Sequence, residues 1–220
     1  MVELANFVFK KQKKNPTLEC LDCEYELPFY KDVEYFSSLE NYVAFIKGVE
    51  RMVRSSLYYS RYVAYIKGEV GLNKCQVLSN IEDEADSKTQ MLEMHHGPIL
   101  TLFDIVAIVV DYMLYHKKHI NSFIVSKIVI DEHFRNNVQV VMLSKTVHQQ
   151  VHARNIFINA KQAFGNINAF LSKYKDGLSK EHIDKINHYI ELSIKYDSFD
   201  KDVLQLQNNV KKWSDQIDFY

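Results

Sequence analysis

The chain has 220 residues, 47% of them hydrophobic and 13% aromatic, which is too apolar for a disordered protein and enough to bury a sizeable core. A net charge of −1 excludes the strongly basic balance of proteins that grip duplex through many phosphates. Only six glycines and three prolines, against many helix-forming residues, predict an α+β protein that is mostly helical.

At the N-terminus, residues 7–12 and 17–25 read as strands around a Lys-Lys-Asn-Pro turn. The basic cluster Lys10, Lys11, Lys13 and Lys14 is either a nucleic-acid contact or a solvated hairpin tip. Cys20 and Cys23 have metal-knuckle spacing, yet with Cys75 they make three thiols, one short of a closed tetrahedral site. The odd count, with no signal segment visible in residues 1–14, predicts reduced cysteines and a cytoplasmic setting. Tyr42, Phe45, Ile46, Val49 and Val53 recur at helical spacing, and Leu57, Tyr62, Tyr65 and Ile66 continue it, so residues 38–69 form a helical hairpin or one broken helix.

Residues 75–81 and 89–95 are apolar-rich runs flanking an acidic turn at 82–86, a pattern that predicts a β-hairpin. Thr101 is placed to cap a helix with Asp104 three residues on, and a second helical run spans 122–134. The most apolar stretch, 98–115, carries Asp104 and Asp111 and falls short of a span of about 20 residues, so it reads as a buried helix and no membrane is implied. Residues 138–143 read as a buried strand, and Ser144 as the cap of a short helix to about 153. Helices follow, with stripes through Ala163, Phe164, Ile167, Phe170 and Leu171 and through Ile183, Ile186 and Ile190. Val203, Leu206, Val210, Trp213 and Ile217 form a heptad-like seam, either packed on the body of the protein or available to a protein partner or for self-association over 203–217.

The chemistry gathers on histidine. His95-His96 closes a strand, and His148 and His152 stand four apart, hence on one face of a helix. Neutral imidazoles so placed suit first-row divalent ions, and a strand-end histidine would add a third ligand. His116, His119 and His133 fall at helix ends, where solvation or a dipole contact explains them.

Two stretches, Leu92-Glu93-Met94-His95-His96 and Val140-Val141-Met142-Leu143-Ser144-Lys145-Thr146-Val147-His148-Gln149-Gln150-Val151-His152, resemble the strands and helix of the HNH (ββα-metal, His-Me finger) endonucleases. His-His-Gly-Pro followed by a helical insertion is similar to a phage-type variant of that family. The resemblance implies an HNH-like ββα core at 75–153 with a helical insertion at about 99–135, flanked by an N-terminal region at 1–74 and a helical C-terminal region at 154–220. It further implies a divalent ion (Mg, Mn, Ni or Zn) on His95, His148 and His152, with His96 as general base. Asn137 would orient that base, and Asn136 is the alternative. Ser144 and Val147 stand where many relatives of that type carry a zinc knuckle.

The implied activity is cleavage of nucleic-acid phosphodiesters, DNA above all, in the bacterial host cytoplasm if the gene is a phage's. Two other readings stay open: an HNH-like scaffold without catalysis that binds nucleic acid or protein as a phage accessory factor, and an unrelated α+β domain whose histidines are solvated or hydrogen-bonded.

Overall fold

The computed structural model describes residues 30–78 and 91–196, which are mostly helical with a two-stranded antiparallel sheet. The segments read at 7–25, including Lys10, Lys11, Lys13, Lys14, Cys20 and Cys23, lie outside the described residues, as do the turn at 82–86 and the 203–217 seam.

A short helix α1 (Val33–Ser37) leads into α2 (Leu39–Ser55), whose Phe45, Ile46, Val49 and Val53 are buried at the expected spacing. Ser56 then takes extended backbone angles, and its hydroxyl accepts from the Tyr59 amide at 3.1 Å. The broken helix is therefore two capped helices, the second being α3 (Leu57–Gly68). In α4 (Leu102–Tyr115) the Thr101 and Asp104 side chains each accept from the other's amide, closing the capping box. Residues 105–110 of α4 are buried without a break, so this helix is central rather than peripheral. It packs against α2 and against α5 (Ser122–Phe134), which Asn121 caps at 2.8 Å. Among the described residues no helix is long and apolar enough to cross a membrane.

The sheet differs from the expected hairpin. β1 (Leu92–His96) pairs not with residues near Cys75 but with β2 (Val140–Ser144), in the register Leu92↔Ser144 to His96↔Val140. All five β2 residues are buried, and a strand covered on both faces needs its remaining amides paired on both edges. On its second edge Val140 exchanges backbone hydrogen bonds with Phe164, both 2.9 Å. Gln76 meets Met142 twice: its backbone amide donates to the Met142 carbonyl at 2.9 Å, and its side-chain oxygen accepts from the Met142 amide at 2.6 Å. One glutamine thus replaces a strand. Phe164 sits in this bridge and not on the helical stripe drawn for it; α7 begins later (Ile167–Lys173).

β2 runs directly into α6 (Lys145–His152), which packs on both strands. Ser144 holds the cap position with extended backbone, but its hydroxyl is buried without a hydrogen-bond partner. The last described helix is α8 (Lys180–Lys195). Between α7 and α8 a 3-10 turn (Lys175–Gly177) lies on α4, where a Cβ on Gly177 would fall 2.2 Å from the Ile108 carbonyl oxygen. The buried Glu132 carboxylate ties α5 to α7, accepting from Lys173 and from the Tyr174 hydroxyl at 3.0 Å. One apolar cluster runs from Phe36 through Ile105 and Val141 to Ile190.

Candidate metal centre

Successive residues of a strand face opposite sides, so β1 sends Glu93 and His95 one way and Met94 and His96 the other. The first pair meets α6. There His148 Nε2 lies 3.1 Å from His95 Nδ1 and 3.0 Å from His152 Nε2. All three ligand atoms fall within 4.8 Å of one another. His95 and His148 are half-buried and His152 is exposed.

Glu93 Oε2 accepts from His148 Nδ1 at 2.5 Å. With Nδ1 carrying a proton, neutral His148 turns a single Nε2 lone pair toward two further ring nitrogens. One lone pair cannot take two linear hydrogen bonds, and a charged His148 would offer one N–H to two acceptors. A cation resolves the mismatch. Metal–nitrogen bonds of about 2.0–2.1 Å place neighbouring ligand nitrogens roughly 2.9–3.4 Å apart, the range of the two short separations. A carboxylate holding the far nitrogen of a ligating histidine is the usual second partner of such a site. The three histidines are therefore arranged so that they could coordinate a metal ion.

Burial, reinforced by His148 and His152, lowers the His95 pKa to about 4, which keeps its ring neutral and able to ligate at pH 7. Gly97 adopts φ 148°, and a Cβ there would come 3.1 Å from His95 Nε2. A cavity of about 400 Å³ opens beside the cluster, with Glu50, Arg54, Met94 and Leu102 in its walls.

The remaining residues read as site members do not join the cluster. His96 also borders the cavity, but its ring is buried, with Nε2 2.9 Å from His133 Nε2 and the ring stacked on Tyr59. His133, expected at a helix end to be solvated or in a dipole contact, is buried, and its Nδ1 donates to the last-turn Val129 carbonyl at 2.6 Å. That bond leaves His133 Nε2 as an acceptor, so His96 Nε2 donates and His96 Nδ1 keeps a lone pair with no partner. Burial holds His96 well below the usual histidine pKa and His133 near 4. Asn137 does not hold His96 but donates to Glu132 at 2.7 Å, and Asn136 donates to the Tyr65 hydroxyl at 3.4 Å. His116 pairs with Asp176 at 2.9 Å. Cys75 is buried and free.

Two contributors escaped the sequence reading. Glu93 was within its reach, because a carboxylate two residues before His95 shares its face of a strand. Arg54 carries no such signal, since only the tertiary packing of α2 brings it to the cavity.

The family described as Bacteriophage G278-like virion protein matches residues 2–217. No curated protein and no solved structure matches the chain. The family match overturns the HNH assignment and, with it, the endonuclease function and the expectation of an enzyme. The HNH likeness rested on two short stretches that any strand–strand–helix unit with helical histidines can satisfy, whereas the family match runs over nearly the whole sequence. The chain belongs to the Bacteriophage G278-like virion protein family.

Proposed function

We propose that this chain is a non-catalytic component of the phage particle, in which a first-row divalent ion on His95, His148 and His152 fastens β1 to α6. The observation that carries the reading is the convergence of three ring nitrogens, with Glu93 fixing the tautomer of the middle one. Three imidazoles without a directly converging carboxylate favour zinc, nickel or cobalt over magnesium. The bonding of His96 agrees with a structural role, because its Nε2 is engaged with His133 inside the core. Its natural partners are the other proteins of the particle.

Metal titration by calorimetry tests the centre. Wild type should take up one equivalent of zinc, nickel or cobalt, and His148→Ala should lose most of that affinity. Mass spectrometry of particles purified from the virus that carries the gene should find the chain in stoichiometric amount. Wild type that binds none of the three metals, or particles that lack the chain, would overturn the corresponding half of the proposal.

A further inference from the structure

We propose that the metal centre has an open face toward the Arg54 cavity, and that this face takes a carboxylate held jointly by the ion and the Arg54 guanidinium. The inference rests on the metal reading above and extends it to a ligand. Three protein nitrogens converge, one fewer than a closed tetrahedral site requires, and the cavity of about 400 Å³ lies on the same side as the cluster. Arg54 stands in its wall with half of its side chain exposed, and its contact with Glu50 is long at 3.8 Å. A loose ion pair of this kind leaves the guanidinium fork available to a better acceptor, and carboxylates are among the groups whose oxygens match it.

The rest of the wall selects against larger oxyanions. Thr101 gives its hydroxyl proton to Asp104 at 2.7 Å. The one ring nitrogen of His96 without a partner is an acceptor, Glu50 is an acid, and Met94 and Leu102 are apolar. Arg54 is the one cationic side chain in this wall, so the ion and Arg54 are its strongest positions for oxygen. A carboxylate uses both positions and can lay its carbon chain along Met94 and Leu102, whereas the further oxygens of a tetrahedral oxyanion would meet a wall that also carries Glu50 and hydrocarbon.

Cobalt-loaded full-length protein, titrated with acetate at constant ionic strength, reports on the open face through its visible ligand-field bands. Acetate should produce a saturable spectral change in wild type. Arg54→Ala should need about tenfold more acetate while binding cobalt equally well, since one charge-assisted contact is lost. Arg54→Lys should recover part of the difference. Sedimentation of the same samples assigns the source. A cobalt-dependent dimer that acetate dissolves gives the carboxylate to a second copy of this chain, and a monomer throughout gives it to another molecule. Bands indifferent to acetate, an unchanged response in Arg54→Ala, or a response to sulfate without one to acetate would each overturn the proposal. Failure of wild type to bind cobalt at all is read separately, before any acetate is added, and removes the metal reading itself.

Discussion

Glu93 illustrates how a single side chain sets the chemistry of its neighbour. By accepting from His148 Nδ1 it leaves the His148 Nε2 lone pair as the one that could coordinate. Glu93→Gln keeps the size of the side chain but removes the charge, so we expect metal affinity to fall about 10- to 100-fold with the circular dichroism spectrum unchanged. A competition titration against a chromophoric chelator measures this directly, and affinity equal to wild type would show that the carboxylate does not support the site. Gly97 acts by having no side chain. Gly97→Ala would combine a φ of 148°, which L residues avoid, with a methyl group 3.1 Å from His95 Nε2, so weaker metal binding should accompany lower stability.

Among the elements, β2 and α6 were the most legible from sequence. A buried apolar run, a serine and a histidine pair four apart say strand, cap and helix with local information alone. The Thr101–Asp104 box marks the start of α4, and the 122–134 helix appears with the expected bounds. Local signals alone did not give the strand pairing, because β1 finds its partner across two intervening helices and a hairpin is the default guess when both neighbours look extended, although the two stretches likened to one ββα unit are the ones that pair. The two sides of His95-His96 follow from the alternation of any strand, yet the partner waiting on the second side, His133, is a tertiary fact. The family resemblance misled for a related reason: a short local pattern reports how a strand and helix meet, not which reaction, if any, the whole chain serves.

Metal should act at this same scale, since an ion on the three histidines would join an element on each side of the site. At free ion one hundred times the dissociation constant, the folded state gains about 2.7 kcal/mol. Hydrogen exchange should accordingly slow in β1 and α6 on adding zinc in wild type but not in His152→Ala. Equal protection in both proteins would separate metal binding from the β1–α6 junction.

For the whole molecule, stability should depend on pH through groups whose pKa is shifted by burial. His133 stays neutral down to about pH 4, whereas an unfolded imidazole titrates near 6.5. Between those values the unfolded chain binds more protons, so stability falls as pH drops, by about 1.4 kcal/mol per pH unit for this one residue. His96, also depressed by burial, adds to the loss. Asp111 opposes them: desolvation raises its carboxyl from 3.8 to about 6, so in that window the folded chain binds more protons and stability rises as pH falls. In the metal-free protein His95, also lowered to about 4 chiefly by burial, acts in the same direction, so the three histidines outweigh this one acid. The urea midpoint of metal-free protein should therefore drop between pH 7 and pH 5, and drop more steeply in Asp111→Asn. A midpoint that is flat or higher at pH 5 would contradict this balance.

The stand-in strand made by Gln76 also has a consequence for how copies of this protein can meet. An exposed sheet edge is a template onto which a neighbouring chain can zip its own backbone, and proteins crowded together are the most vulnerable to it. Here the far edge of β2 is sealed by Gln76 and Phe164, while Lys67 reaches over from α3 to donate to the Leu92 carbonyl of β1 at 3.0 Å. An edge sealed like that of β2 resists runaway β-addition. In the proposed role within a virus particle, contacts with neighbours would fall to side chains and helix faces, which can be matched to one partner and refused to others.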